Sequence, residues 1–399
     1  MKFDTKKAYN IVDLRAAARK VLPRGLFEFV DRGTEDEVAL RSNREAFEKI
    51  SFCPRVLVDV SDRKLDTKIL GVNTPMPLII APTGAAGLLW HDGEIAVARA
   101  ATNAGIPFSL STASIIGMER VAAEAGGRLW FQLYMWSDRH LSHQLVDRAK
   151  AAGYESLIVT VDNAAPPNRE YNRRNGFSLP LRITATNIVD VAMHPGWFIN
   201  VFARYLLNNG IPTLENYPDS LRIKLNAPGG ELPRCDSLKW DDLKELRKRW
   251  TGPLIVKGVL HPDDASMAVD CGADAVVVSN HGGRNLDSSI PPIYALPAVV
   301  DRVGNRCEVF VDSGFTRGSD VIKALALGAR AVLVGRAPLW GVSCAGQDGV
   351  ARALEILRDE MMRVLGLTGC LSTQNLDATL LRRVANLSPY EHDSHKGTR

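Results

Sequence analysis

Ser279-Asn280-His281-Gly282-Gly283-Arg284-Asn285-Leu286-Asp287 follows directly on the apolar run Ala275-Val276-Val277-Val278. A short β-branched run between turn signals reads as a strand buried on both faces, the kind found in parallel sheets. The polar stretch after it then lies at the carboxyl end of a sheet, where α/β folds keep their ligands. His281 can take or give a proton near neutral pH. Arg284 is a permanent planar cation suited to a carboxylate or phosphate. Gly282 and Gly283 let the backbone approach a flat ligand closely.

Working outward, the same beat recurs. Leu78-Ile79-Ile80-Ala81, Pro107-Phe108-Ser109-Leu110, Leu129-Trp130-Phe131-Gln132-Leu133 and Ser156-Leu157-Ile158-Val159-Thr160-Val161 come before it. Leu254-Ile255-Val256-Lys257 precedes it by one unit, and Val309-Phe310-Val311 and Ala331-Val332-Leu333-Val334 follow. Helix-compatible sequence follows each run, so the sheet is parallel with right-handed crossovers. Eight such units are the count of a closed (β/α)8 TIM barrel. An open doubly wound sheet is the alternative, but no G-x-G-x-x-G follows any strand and no G-x-x-x-x-G-K-[ST] is present.

The expected organisation is a helical N-terminal cap over residues 1–75 and a barrel over 76–177 and 237–370, with a long insertion (178–236) after the fourth strand. A tail, 371–399, frays from residue 388. Within the cap, residues 12–21 and 24–31 and the charged stretch to Lys49 read as helices, and Val56-Leu57-Val58 and Thr67-Lys68-Ile69-Leu70 as strands. The insertion carries the aromatic and aliphatic stretch 195–207. Its plainer reading is a helix packed on the barrel or on a neighbouring subunit; the sharper one is a lid or membrane-surface patch, since Trp, Phe and Tyr favour interfaces.

Composition excludes several classes. With 49 basic and 45 acidic residues among 399, the net charge of +4 gives no footing for nucleic acid. The six cysteines lack metal-ligand spacing and fit reduced thiols in the cytoplasm, so no metal is expected. The N-terminus has no apolar core like that of a signal peptide, and no apolar run approaches the ~20 residues that span a bilayer.

Each strand hands polar groups to one rim: Pro82-Thr83-Gly84, Ser111-Thr112, Gln132 with Tyr134, Thr160 with Asp162, Lys257, the stretch from Ser279 to Arg284, Asp312-Ser313-Gly314 and Gly335-Arg336. Singly, each reads as a turn or cap; together they make one site, because only the catalytic rim collects residues so distant in sequence. Loops after the seventh and eighth strands commonly hold a phosphate, and here they offer Gly314, Gly335 and the cation Arg336. Lys257, deep in an apolar run, needs an anionic partner, and an electron-accepting ring that becomes negative on reduction is one. Asp162 beside His281 makes an oriented general base. Arg284 and Arg169 give two forks for a carboxylate.

The signature at 279–287, with Ala81-Pro82-Thr83-Gly84, Phe131-Gln132-Leu133-Tyr134, Thr160-Val161-Asp162, Lys257-Gly258 and residues 323–329, closely resembles the FMN-dependent L-2-hydroxy acid dehydrogenases and oxidases. The likeness runs from about Pro23 to Gly369, and residues 98–114 look most like the mandelate dehydrogenase branch. It implies FMN across the barrel rim, with His281 as base and the α-hydrogen passing as hydride to flavin N5. It assigns Asp162 to hold His281, Arg284 and Arg169 to grip the carboxylate, Tyr134 to bond substrate, and Lys257 to balance charge at the flavin. Pro82, Thr83, Gly84, Ser111, Gln132, Thr160 and Ser279 would line the ring and ribityl chain. Asp312, Gly314, Arg317, Gly335 and Arg336 would hold the ribityl and phosphate end.

The chain departs from this pattern at named positions. Phe29 stands where a carboxylate-binding tyrosine is usual, Thr316 where a phosphate-binding arginine is common, and Asn285 replaces a glutamine. Two prolines, Pro166 and Pro167, stiffen the loop before Arg169. Losing a hydroxyl at residue 29 predicts a bulky or aromatic substrate. The electron acceptor is expected to be a quinone, a carrier protein or O2. The chain is expected to form a homotetramer, in the cytoplasm or peripheral to the inner face of the membrane. Two rival readings are an oxidase that releases hydrogen peroxide and, from another class, a non-redox barrel binding FMN or another phosphorylated ligand; Gly84 favours a dehydrogenase over an oxidase.

Overall fold

The computed structural model describes residues 3–178, 184–208, 210–217, 224 and 235–383. The apolar runs form eight parallel strands: β1 (Leu78–Thr83), β2 (Phe108–Ser111), β3 (Leu129–Leu133), β4 (Ser156–Thr160), β5 (Leu254–Val259), β6 (Ala275–Val278), β7 (Glu308–Val311) and β8 (Ala331–Val334). They pair in the circular order β7-β8-β1-β2-β3-β4-β5-β6, and β6 on β7 closes the barrel. Alternation along each strand sorts the side chains. Ile79, Ala81, Trp130, Ile158, Ile255, Val277, Phe310 and Leu333 fill the barrel interior, whereas Leu78, Ile80, Phe131, Val256 and Val278 join the larger core outside it. The Trp130 and Phe310 rings stack with centroids 6.1 Å apart. The register sets Ser111 beside Gln132 and Thr160 beside Lys257, so the polar strand ends arrive level at one rim.

The other end of the barrel is plugged. A hairpin of Thr67–Ile69 and Val72–Thr74 places Ile69 in the interior cluster. Arg128 donates to the Ile69 carbonyl and the Thr74 hydroxyl at 3.1 Å each, tying the hairpin to β3.

Three helices cross the functional rim: α1 (Ile11–Val21), α2 (Arg24–Asp31) and α3 (Val38–Glu48). Asn10 and Asp13 form a reciprocal capping box that starts α1. Two arginines from the rim hold the C-terminal end of α2. Arg284 donates to the carbonyls of Phe29 (2.6 Å) and Arg32 (3.0 Å), and Arg336 to those of Val30 (3.0 Å) and Arg32 (3.2 Å). Those carbonyls have no partner inside the helix, and cations suit that end of its dipole. Asp287 caps α3 from a distance, accepting the Val38 and Ala39 N–H groups at 3.2 and 2.8 Å.

One expectation fails in this region. Val56-Leu57-Val58 is not a strand: Leu57 sits at φ 58° with its side chain fully in solvent. The strand lies instead at Ile50–Phe52 and pairs antiparallel with Leu381–Arg383, so the chain after residue 371 folds back onto the cap. The frayed segment expected from residue 388 lies outside the described residues.

Residues 185–192 and 195–208 of the insertion are helical. One face packs on the barrel: Trp197, Val201 and Tyr205 are buried, the Trp197 indole N–H donates to the Leu88 carbonyl (2.8 Å), and the Tyr205 hydroxyl accepts the Asp92 N–H (2.8 Å). The other face is apolar and exposed, with Ile188, Val189, Met193, Ile199 and Leu207, the last 85 % accessible.

Candidate active site

The turn after β6 is built so that almost every residue of it has a task. Ser279 accepts from Lys257 Nζ and from the His281 N–H, both at 3.0 Å. Asn280 exchanges two side-chain hydrogen bonds with Asn43 of α3 (2.9 and 2.7 Å) and accepts the Gly283 N–H. His281 itself lies at φ 59°, a left-handed conformation uncommon without glycine. Gly283 is required: at φ 70°, a Cβ there would come 2.7 Å from the Leu40 nitrogen. The turn thereby fixes α3 on one side and His281 on the other.

His281 Nδ1 lies 2.9 Å from Asp162 Oδ1, and Nε2 lies 3.4 Å from the Tyr134 hydroxyl. The Asp162 bond orients Nδ1–H toward the carboxylate and leaves Nε2 as the basic nitrogen. Burial holds His281 below its ordinary value, with Lys257 and Arg169 adding to the fall, against the opposite pull of Asp162. The balance favours the neutral imidazole, the form a base needs. Burial raises Asp162, but His281 and Lys257 outweigh it and keep the carboxyl below its usual range. Asn285 donates to the Asp162 carbonyl at 2.7 Å and steadies the pair from behind.

Lys257 is buried, and its Nζ lies 3.0 Å from Asp312 Oδ2. Burial alone would lower it; Asp312 and then Asp162 reverse the effect and keep it charged. The anionic partner demanded by the sequence is thus a protein carboxylate. Asp312, assigned by resemblance to the ribityl and phosphate end, lines the cavity, faces Lys257 and accepts from Ser313 (2.7 Å).

These groups surround a cavity of about 1640 Å³. Pro82, Thr83, Gly84 and Ser111 line one wall, and Gly314, Gly335 and Arg336 line another. Gln132, Thr160 and Ser279 stand behind the lining, fully buried, with Gln132 bridging Ser111 (3.0 Å) and Thr160 (2.9 Å). Gly84 is pressed on Ala113, where an added Cβ would meet another Cβ at 3.2 Å. Tyr134, Arg169, Arg284 and Phe29 also line the cavity. The Phe29 ring lies 5.3 Å from that of Phe177 and 5.2 Å from the Arg284 guanidinium.

The site fits FMN. A Cβ on Gly335 would meet Ala81 and Thr83 only at 3.6 Å, so the glycine leaves room inside the cavity. Arg336 bonds backbone carbonyls and no carboxylate. Burial and the neighbouring Arg284 push it down to about 10, the mark of a cation awaiting an anion. One assigned residue leaves the set. Arg317 turns outward to Glu360 (2.7 Å), which also receives the Gly318 N–H, so it serves the start of the helix Gly318–Ala326.

The sequence did not reveal the supporting residues Asn43, Arg44 and Phe177, nor the tasks of Ser313 and Asn285. Ser313 accepts the Gly282 N–H at 3.0 Å from the next strand end. The pairing of Asn43 with Asn280 spans 237 residues and leaves no local signal.

Residues 18–383 match the family described as FMN-dependent dehydrogenase. The chain is 40 % identical over 398 residues to (S)-mandelate dehydrogenase of Pseudomonas putida, covering 99 % of each. It is also 40 % identical over 380 residues to L-lactate dehydrogenase of Pseudomonas syringae, covering 92 % of this chain and 97 % of the relative. Among solved structures it is similar to the monotopic membrane protein (S)-mandelate dehydrogenase, with a TM-score of 0.89 and 40 % identity over 94 % of this chain and all of that one. Fold, cavity and full-length kinship agree: the chain belongs to the FMN-dependent 2-hydroxy acid dehydrogenase and oxidase family.

Proposed function

We propose that this enzyme oxidises a bulky or aromatic L-2-hydroxy acid to the 2-oxo acid and delivers the electrons to an acceptor at a membrane surface. Bound FMN supplies the two-electron acceptor for the α-hydrogen. Arg169 and Arg284 hold the carboxylate, and Tyr134 bonds the substrate oxygen. Neutral His281 takes the hydroxyl proton at Nε2 while the α-hydrogen leaves with its electron pair. Asp162 balances the imidazolium that results. Lys257, fixed by Asp312, offers positive charge where the flavin gains electrons. Gly314, Gly335 and Arg336 receive the phosphate.

The observation that carries this reading is the His281–Asp162 contact of 2.9 Å with Nε2 turned toward the Tyr134 hydroxyl. The test is His281→Gln, purified with its flavin and mixed anaerobically with substrate. Flavin reduction should fall by at least ~10²–10⁴, the usual contribution of a positioned base. Reduction at the wild-type rate would show that another group is the base.

Phe29 and Phe177 support the substrate class, since an aromatic body buried against them gains ~25 cal/mol per Å². Admitting air after anaerobic reduction separates a dehydrogenase from an oxidase releasing hydrogen peroxide. The exposed apolar face of residues 185–208 supports peripheral membrane attachment, and no helix among the described residues is long and apolar enough to cross a bilayer. Ile199→Asp with Leu207→Asp should abolish flotation with anionic vesicles and leave soluble-dye reduction intact; continued flotation would refute the attachment. A homotetramer is the expected assembly, measurable by light scattering.

A further inference from the structure

We infer that Arg44, on α3, supplies the cation facing the FMN phosphate beside the β7 loop, a task that neither position 316 nor position 317 performs. The inference rests on the proposed placement of the phosphate at Gly314 and Gly335. Thr316 is neutral, and Arg317 is committed to Glu360 on the outer surface. Arg44 reaches the same loop from the cap. Its Nη1 donates to the Gly314 carbonyl and to the Thr316 hydroxyl, each at 3.0 Å, and its Nη2 to Asp320 Oδ1 at 2.9 Å.

The two members of the Arg44–Asp320 pair are unequally buried. The Asp320 side chain is 1 % accessible, whereas that of Arg44 is 35 % accessible and lines the cavity. Asp320 also accepts the Thr316 and Arg317 N–H groups at 3.1 and 2.9 Å, so this carboxylate organises the loop and anchors the arginine from behind. Arg44 Nε and one hydrogen of Nη2 make no bond to the described residues, and they remain for an anion. The guanidinium has little freedom to leave. It lies 5.1 Å from the Phe47 ring, and α3 packs so closely on the loop that a Cβ at Gly314 (φ 86°) would meet the Asn43 carbonyl oxygen at 2.8 Å. A rigid, charge-assisted donor facing the cavity at a loop suited to phosphate is a pre-organised anion contact.

Titration of apoprotein with FMN and with riboflavin, followed by flavin fluorescence, isolates the phosphate contribution. Arg44→Gln should weaken FMN roughly tenfold to a hundredfold, as befits one charge-assisted hydrogen bond, and leave riboflavin unchanged. Thr316→Arg placed on Arg44→Gln should restore the preference for FMN; in the wild-type background it should add little. Arg44→Lys, melting like wild type, keeps the charge and should retain most of the preference if the glutamine variant does not fold. Equal losses for both flavins would make Arg44 a purely structural residue and overturn the inference. Absence of any FMN preference in the wild type would instead overturn the phosphate placement itself.

Discussion

Asp162→Asn separates charge from geometry at the base. Asparagine keeps the shape and the ring orientation while the negative charge is lost, and an amide NH2 facing Nδ1 forces the hydrogen onto Nε2, which removes the base as well. Two bounds frame the cost. A hydrogen bond to a charged group is worth ~1.5–3 kcal/mol. At the observed 2.9 Å and an effective dielectric of ~20, two unit charges attract by at most about 6 kcal/mol. Flavin reduction should therefore slow by roughly tenfold to ten-thousandfold, at about 1.4 kcal/mol per power of ten. The pH profile carries the sharper expectation. His281 acts as a base only when neutral, so kcat/KM falls as pH drops through its pKa. Burial already lowers that pKa and Asp162 opposes the shift; without the carboxylate the acid limb moves to lower pH while the plateau drops. Stopped-flow reduction from acid to neutral pH with a mandelate-like substrate measures both. An acid limb that moves upward, or a plateau that stays high, would refute the coupling of the two residues.

Lys257→Met should both slow flavin reduction and lower the melting temperature, because it strands Asp312 as a buried unpaired charge, a defect costing ~3–5 kcal/mol; unchanged melting would show that Asp312 finds water instead. Phe29→Tyr should lower KM for glycolate more than for an aromatic acid, since a new hydroxyl serves the carboxylate alone, and equal changes across a substrate series would reduce Phe29 to packing. Arg317→Ala should leave FMN affinity unchanged, as its side chain faces Glu360; weakened FMN binding by flavin titration would contradict that placement.

The barrel was legible because its signal is local. Each strand is a short apolar run, and most functional groups of the rim sit within a few residues of one, as Asp162 does after Thr160. Errors fell where the decisive partner lay far along the chain. Val56-Leu57-Val58 has strand propensity but nothing to pair with, while Ile50–Phe52 becomes a strand through Leu381–Arg383. Arg317 has the composition of a phosphate ligand, yet Glu360 claims it. Lys257 was read correctly as a buried cation needing an anion, but burial alone could not name Asp312, 55 residues away, as that anion.

The hydrogen bonds from the two rim arginines to α2 fall on carbonyl oxygens, which every amino acid carries. Leu26, Phe27 and Val30 seat the helix in the core, but these hydrogen bonds are blind to the side chains that α2 turns to the cavity. A change at residue 29 gives up its ring contacts with Arg284 and Phe177 but none of these hydrogen bonds, so the substrate range can shift while the machinery beneath stays fixed. A laboratory library confined to the cavity-facing positions of α2 would exploit the same freedom: its members should melt together and differ in what they oxidise.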